Sequence, residues 1–314
     1  MLLDLLVTPL ATGAYYASVL DVAQAELTLH FPHVSTEVIE RSTLTFLRAD
    51  LPREALPTVA RLSFVQGVFA VDGDSLTVLD AHPGYHLPAP FVFGAKYRGK
   101  THELLTLLAL NVARATCSLP VEAPVKVLDP MAGRGTTLLW AARLGWSATG
   151  IERDPKAPAD LQRHVKKHCK LLRVKHKETR GTVGRKAKSG QGAFVRYTFA
   201  ESSIRLITGD ARRLKPLLQG ERFPMMVADL PYGVQHTRDD GWRDPTRVLA
   251  ACAPEWAERL APGGSLVLAF NALMPKRDVL VGLFTDAGLA AHPFTAPHRL
   301  SAGIERDLAV FTRL

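Results

Sequence analysis

The stretch VKVLDPMAGRGT occupies residues 125–136, and TLLWAARLGW follows it directly. Its apolar start is typical of a buried strand, which Asp129 and Pro130 end before a helical pattern begins. Gly133 and Gly135 lie in the turn between them and allow the backbone to approach a ligand closely. Free N–H groups at a helix N-terminus favour an anionic group such as a carboxylate or phosphate. The turn is therefore a candidate cofactor site, although a Gly-x-Gly turn alone equally suits a plain strand-to-helix connection.

Acidic residues follow four successive apolar runs of strand composition; they are Asp129, Glu152, Asp210 and Asp229. Glu152 falls 23 positions after Asp129, which leaves room for a crossover helix between two parallel strands. Ligands of such sheets bind beyond the carboxyl ends of the strands, so we expect the four acids to face one cleft. The carboxylate of Glu152 can accept both hydroxyls of a ribose there.

The chain has 314 residues, of which 47% are hydrophobic, enough for a large core and for one large or two ordinary domains. Its three cysteines show neither a metal-binding spacing nor a disulfide framework, which is typical of a reducing cytosol. No Lys or Arg precedes Arg41, so the N-terminus lacks the basic start of a secretory signal. The apolar run Leu104–Ala113 is too short to span a bilayer. We therefore expect a cytoplasmic protein with no structural metal and no membrane segment.

Residues 1–92 predict a small α+β domain of the ferredoxin-like type, because strand, helix, strand, strand, helix and strand follow one another. The predicted strands are 2–7, 34–39, 43–48, 64–70 and 75–79, and the predicted helices are 15–29 and 52–62. No catalytic constellation is visible in this part of the chain, which suggests a packing or docking role.

Residues 93–314 predict a doubly wound α/β domain, because strands alternate with helices from Val125 onward. Further strands are expected at 204–208, 225–228 and 265–270, and further helices at 245–260 and 278–287. The segments 289–294 and 307–312 are expected to complete the sheet as a hairpin. Thr101 is expected to cap a helix that covers the sheet, or to lie near the cofactor.

A basic segment interrupts this second domain at about residues 161–196. Between 161 and 190 it holds eleven Lys and Arg against one acid, a net +10 in a chain whose total is +9. Its first half predicts a helix and its Gly-rich second half a mobile loop. The candidate contacts for a polyanion are Lys166, Lys167, Lys170, Arg173 and Lys175, since clustered cations bind phosphates. A solvated helix and loop would have the same composition.

The motifs together resemble those of a known family. The sequences DPMAGRGT, GDAR at 209–212 and DLPYG at 229–233, with Glu152 between them, resemble class I S-adenosylmethionine-dependent methyltransferases that methylate exocyclic amines. The domain order resembles the THUMP-type tRNA guanosine-N2 methyltransferases and implies a Rossmann-like sheet after a ferredoxin-like domain. The sequence departs from the family in two ways: Leu230 replaces the first Pro of the amine-methylating motif, and 1–95 is short for a full THUMP domain.

The resemblance implies a role for individual residues. The methionine part of the cofactor would be held by Asp129, Pro130, Met131, Ala132, Gly133, Gly135 and Thr136. Its ribose would be held by Glu152, and its adenine by Asp210 and the N–H group of Ala211. The catalytic loop would be Asp229, Leu230, Pro231 and Tyr232.

The chemistry implied is methyl transfer to an aromatic amine. If Asp229 and the carbonyl of Leu230 each accept an N–H, the nitrogen lone pair is released towards the methyl group, while Tyr232 stacks on the base. We expect an RNA methyltransferase acting on the N2 amine of a guanosine in tRNA. The alternatives are a DNA adenine-N6 or cytosine-N4 methyltransferase and a nucleic-acid-binding protein with a vestigial methyltransferase fold. His298 and Arg299 are either substrate contacts or part of a surface turn.

Overall fold

The computed structural model describes residues 1–94, 101–120, 123–184, 191–231, 245–301 and 303–314. These residues form two β-sheets, one of five strands and one of ten. Within the described ranges, no helix combines the length and the hydropathy that a membrane crossing requires.

The five-stranded sheet is entirely antiparallel. Its strands are β1 (Leu2–Val7), β2 (Thr36–Arg41), β3 (Leu44–Asp50), β4 (Val65–Asp72) and β5 (Ser75–Leu79). They lie in the order β2-β3-β1-β4-β5, which is the order of a ferredoxin-like sheet with β5 added as a hairpin strand. Leu3 and Leu5 of β1 point into the core, whereas the buried Asp4 between them accepts two hydrogen bonds from Arg48 at 2.7 and 2.9 Å.

The helices of this region differ from the sequence expectation. The predicted helix 15–29 is two helices, α1 (Leu10–Tyr15) and α2 (Val19–His30), separated by a 3-10 turn at Tyr16–Ser18. Tyr16 has a φ of +51°, a conformation that ends a right-handed helix. The predicted helix 52–62 is reduced to a 3-10 turn followed by α3 (Leu56–Val59).

The ten-stranded sheet occupies most of the rest of the chain. Its strands are β6 (Lys126–Asp129), β7 (Ser147–Glu152), β8 (Lys177–Thr182), β9 (Ala193–Thr198), β10 (Ser203–Thr208), β11 (Phe223–Asp229), β12 (Leu260–Asn271), β13 (Ala290–His292), β14 (His298–Ser301) and β15 (Ile304–Thr312). Nine of them lie in the order β13-β15-β12-β11-β6-β7-β10-β9-β8, and β14 pairs with β15.

The strand order confirms the predicted doubly wound, Rossmann-like sheet. The five central strands β12, β11, β6, β7 and β10 are parallel, and β15 lies antiparallel between β12 and β13. From β6 the chain continues to β7 and β10 on one side, and later to β11 and β12 on the other. The strand order therefore reverses at β6, and the crevice at its carboxyl end is the position where such sheets bind ligands.

Helices cover both faces of this sheet. They are α4 (Pro90–Phe93), α5 (Glu103–Thr116), α6 (Thr136–Arg143), α7 (Ala157–Leu172), α8 (Leu214–Leu218), α9 (Pro245–Arg259) and α10 (Arg277–Asp286). All residues of α5 from Leu104 to Ala113 are buried, because α5 packs against the large sheet on one side and against α1 and α2 on the other. Asn111 donates to the buried carboxylate of Glu26 at 2.7 Å, so polar bonds also cross the predicted domain boundary.

The basic segment is more regular than the sequence suggested. The expected mobile loop is wrong for residues 177–182, which form the strand β8. β8 pairs in an antiparallel register with β9, which follows at 193–198. β9 also pairs with β10, so the segment extends the large sheet at its edge. The sequence KETRGT lacks an alternating apolar pattern because β8 is an edge strand whose side chains are largely solvent-exposed.

Candidate active site

The predicted strand-end acids lie on four adjacent strands at one edge of the sheet. Asp129 pairs with Gly150 on β7 and lies level with Val227 on β11. Glu152 and Asp229 therefore each extend two residues beyond the level of Asp129, one on either side of it. The end of β6 thus forms the floor of a notch flanked by two further carboxylates.

The charges in this notch interact with one another. Asp129 is only 3% exposed, and burial raises the pKa of its carboxyl to about 7. The negative charges of Asp229 and Glu152 contribute to this rise, whereas hydrogen bonds from Thr137 and from the backbone N–H of Met131 oppose it. Asp129, Glu152 and Asp229 are therefore close enough to interact electrostatically.

The glycine turn lies against these carboxylates. The N–H of Met131 donates to Asp129 at 3.0 Å, and the N–H of Gly133 donates to Glu152 at 2.8 Å. Gly135 has a φ of +85°, a left-handed conformation that places the N-terminus of α6 at the notch. A Cβ atom on Gly133 would meet nothing within 4 Å, so the turn is open on that side.

The remaining turn residues are held by contacts with β7 and α7. The backbone N–H of Ala132 donates to the carbonyl of Ile151 at 2.9 Å. Arg134, which the sequence interpretation did not single out, forms ion pairs of 2.8 Å with both Asp154 and Asp160. The buried Pro130 and the buried Thr136, the first residue of α6, complete the predicted cofactor turn.

The outer part of the candidate cofactor site is formed by Glu152, Asp210 and Ala211. Glu152 accepts N–H groups from Gly133 and from Asp154, both at 2.8 Å. Asp210 follows β10 and is bound by the guanidinium of Arg212, which lowers the pKa of the Asp210 carboxyl. The carbonyl of Ala211 accepts a hydrogen bond from the indole of Trp256 at 2.9 Å, which fixes this backbone at the edge of the cleft.

The predicted catalytic loop begins at the end of β11. The Asp229 side chain is 23% exposed, whereas Leu230 is only 3% exposed and packs in the hydrophobic core beneath the sheet. The N–H of Leu230 donates to the carbonyl of Ala269 at 2.8 Å, and Pro231 follows directly. The apolar side chain of Leu230 is therefore accommodated by packing in the core. Tyr232 lies outside the described residues.

Two residues that the sequence interpretation did not assign to catalysis contact Asp229. The hydroxyl of Thr101 donates to Oδ2 of Asp229, and Nη2 of Arg306 donates to Oδ1. The expected helix cap at Thr101 is wrong, because α5 begins at Glu103 and His102 accepts the capping N–H of Leu104 at 3.2 Å. Arg306 lies 77 residues from Asp229 in an apolar strand, and no local motif marks it.

The segment before the last strand is the strand β14 and not the expected surface turn. His298 is neither exposed nor part of a surface turn, because it lies on β14 with 2% of its surface exposed. Its Nδ1 lies 2.8 Å from the carbonyl oxygen of Ala296, and its ring packs edge-on against Tyr15 at 5.4 Å. Burial lowers the pKa of His298 to about 4, so the ring is neutral near pH 7. Arg299 beside it is exposed.

The candidate polyanion contacts lie on a different surface from the notch. Lys166, Lys167, Lys170, Arg173 and Lys175 are all exposed on α7 or just after it. The opposite face of α7 is buried and includes Leu161, Val165 and Cys169. Lys166 lies nine residues after the start of α7, or roughly 14 Å at 1.5 Å per residue, and α7 runs away from the carboxyl edge of the sheet. A ligand that touches both the notch and this surface must therefore extend along α7.

Comparisons with known proteins give matches at the level of fold. No protein-family model matches the sequence, and no curated protein is significantly similar to it. TrmN from Thermus thermophilus is 14% identical, with 100% of this chain and 99% of that chain covered and a TM-score of 0.45. An rRNA methylase from Streptococcus thermophilus is 12% identical, with 61% and 87% covered and a TM-score of 0.36. A magnesium protoporphyrin IX methyltransferase from Synechocystis, solved with bound SAM, is 14% identical, with 67% and 79% covered and a TM-score of 0.43.

Proposed function

We propose that this chain is an S-adenosylmethionine-dependent methyltransferase that acts on an exocyclic amine of RNA, with the N2 amine of a guanosine in tRNA as the favoured target. The observation that carries the proposal is the convergence of Asp129, Glu152 and Asp229 at the point where the strand order reverses. We also propose that residues 1–92 form a separate N-terminal domain and that residues 93–314 form the catalytic domain.

The residues of the notch suit the chemistry of this cofactor. A buried carboxylate whose pKa is raised to about 7 gains from a positively charged ligand, and the α-ammonium of the cofactor would provide that charge beside Asp129. The turn from Pro130 to Thr136 would hold the methionine part, and Glu152 would accept the ribose hydroxyls. Asp210 and the N–H of Ala211 would hold the adenine. When bound, the cofactor supplies an activated methyl group on a positively charged sulfur.

The protein's own part of the reaction lies at Asp229 and Leu230. An aromatic amine is a poor nucleophile because its lone pair is delocalised into the ring. Asp229 and the carbonyl of Leu230 would each accept one N–H of this amine, and Pro231 favours the extended backbone that presents the carbonyl. The carboxylate of Asp229 would also stabilise the positive charge that develops on the nitrogen. Tyr232 is proposed to stack on the base.

The charge distribution supports a nucleic acid docking on the basic segment and not on the N-terminal sheet. Residues 1–92 contain four Arg, no Lys and ten acids, a net charge of −6. Residues 161–190 carry +10. A polyanion is therefore repelled by the first region and attracted by the second, where Lys166, Lys167, Lys170, Arg173 and Lys175 would contact phosphates. The separation between this surface and the notch is compatible with a polynucleotide substrate such as tRNA.

The proposal is tested by methyl transfer from labelled S-adenosylmethionine to unmodified total tRNA, rRNA and DNA in parallel, followed by nucleoside analysis. Label in N2-methylguanosine from tRNA supports the proposal. Label only in N6-methyladenine or N4-methylcytosine of DNA favours the alternative DNA methyltransferase. Binding of RNA without transfer to any of the three would favour a nucleic-acid-binding protein with a vestigial fold.

A further inference from the structure

We propose that Arg306 is the residue that positions the catalytic carboxylate, a role that rests on the proposed function. Arg306 lies opposite Asn271 in the register of β15 and β12. β12 separates β15 from β11, so the Arg306 side chain reaches across the end of β12 to Oδ1 of Asp229. The terminal hairpin of the sheet thereby contacts the reaction site directly.

The burial of the two partners differs in a way that fits this role. The Arg306 side chain is 2% exposed, whereas that of Asp229 is 23% exposed. A guanidinium cannot lose its proton at ordinary pH, and its burial is tolerated only beside an anion. Arg306 is therefore fixed in the protein interior, and Asp229 is held from behind while it faces the cleft.

The other oxygen of Asp229 is held as well. Thr101, just before α5, donates its hydroxyl to Oδ2, so both oxygens are bound by the protein. Each carboxylate oxygen can accept two hydrogen bonds, so Thr101 and Arg306 each use only one of the two acceptor positions on their oxygen. The two contacts together fix the rotation of the carboxylate without occupying all of its acceptor capacity.

Arg306 also opposes the other charges of the notch. The Arg306 guanidinium contacts Asp229 and so places a positive charge beside the three carboxylates of the notch. His298, which lies opposite Arg306 in the β14–β15 register, is neutral near pH 7 because burial lowers its pKa to about 4. Of these two paired residues, Arg306 is therefore the one that provides the positive charge beside Asp229.

The test compares the full-length variants Arg306→Met and Arg306→Lys with Arg277→Met as a matched control. Arg277 donates to the carbonyls of Leu308 and Phe294 at 2.9 and 3.1 Å, so it supports the same strand without touching Asp229. Arg306→Met should lower kcat by roughly ten- to a hundredfold, because small displacements of a reacting group cost that much. The Kd for S-adenosylmethionine should change by less than about threefold. Arg306→Lys should recover part of kcat, because it keeps the charge.

The control separates positioning from general stability. Arg277→Met should lower the Tm and leave kcat near the wild-type value. The inference is overturned if both variants, Arg306→Lys and Arg306→Met, fold and retain the wild-type kcat. It is also overturned if kcat falls in Arg277→Met and Arg306→Met alike, in step with Tm. If Arg306→Met does not fold, the partial loss of kcat in Arg306→Lys carries the test. A wild-type protein that transfers no methyl group to tRNA, rRNA or DNA would instead refute the proposed function.

Discussion

Cofactor affinity should depend on pH through the ionisation of Asp129. Its pKa of about 7 in the free protein means that the carboxyl is mostly protonated below neutral pH. A cationic α-ammonium group binds the ionised form better, so binding should release a proton from Asp129 when the solution is slightly acidic.

The size of the effect follows from that pKa. With a value of about 7, the ionised fraction of Asp129 is about one half at pH 7, about one eleventh at pH 6 and about one hundredth at pH 5. If binding requires the carboxylate, the Kd should therefore rise by roughly 50-fold from pH 7 to pH 5. The ligand ammonium stays charged across this range, because α-amino groups titrate near pH 8.

Isothermal titration calorimetry with S-adenosylhomocysteine at pH 5, 6 and 7 measures both the Kd and the protons released, the latter from buffers of different ionisation enthalpy. Asp129→Asn is the matched control, and it should bind more weakly at pH 7 with little dependence on pH. A wild-type Kd that stays constant between pH 5 and 7 would refute the assignment of Asp129. So would an Asp129→Asn variant with the same pH dependence as the wild type.

Three further outcomes are expected. Asp229→Asn should lower kcat by about 10- to 150-fold, because a hydrogen bond to a charged group contributes about 1.5–3 kcal/mol. The Kd for the cofactor should be nearly unchanged, and an unchanged kcat would exclude a catalytic role for Asp229. The pKa of Glu26 is raised to about 7, so the free energy of unfolding should fall by up to about 3 kcal/mol as pH rises from 4 to 8. Glu26→Gln should reduce this fall in urea titrations at several pH values, and a variant with the wild-type pH profile would argue against the role of Glu26. Replacing the exposed cations by Gln should weaken tRNA binding and reduce the slope of log K against log salt concentration by about 0.7–0.9 per lost contact, and equal slopes would contradict the docking surface. Lys166→Gln alone should have a smaller effect, because Lys166 pairs with Glu178 at 3.2 Å. The cations to replace together are Lys167, Lys170, Arg173 and Lys175.

The sign of the Glu26 effect follows from its surroundings. Glu26 is fully buried, and desolvation raises its pKa more than the donors Ser63 and Asn111 lower it. A carboxyl with a raised pKa in the folded state contributes stability that is complete below the unfolded-state pKa and is lost as pH rises through the folded-state pKa. Stability should therefore decline between about pH 4.5 and 7.

The sequence was sufficient to locate the notch because its signals are local. Each central strand is a short apolar run followed directly by an acid, so the strand ends at Asp129, Glu152 and Asp229 could be read residue by residue. The alternation of strands and helices then required a parallel sheet, and a parallel sheet brings such ends to one edge.

Contacts between distant parts of the chain could not be predicted in the same way. Arg306 can reach Asp229 because a single strand, β12, separates β15 from β11. This proximity is a property of strand order and not of sequence spacing. Thr101 was expected either to cap α5 or to lie near the cofactor; it does not cap the helix, and its hydroxyl donates to Asp229 instead. β8 escaped recognition because an exposed edge strand carries no apolar alternation.

The central claim is that one cleft at the end of β6 brings the cofactor sulfur and a base amine together above Asp229. A crystal structure with S-adenosylhomocysteine and guanosine tests it most directly. We expect the ribose hydroxyls within hydrogen-bonding distance of Glu152, the amino acid part of the ligand on the turn at Gly133, and the sulfur facing Asp229. A ligand bound elsewhere, or in this cleft with its sulfur turned away from Asp229, would contradict it.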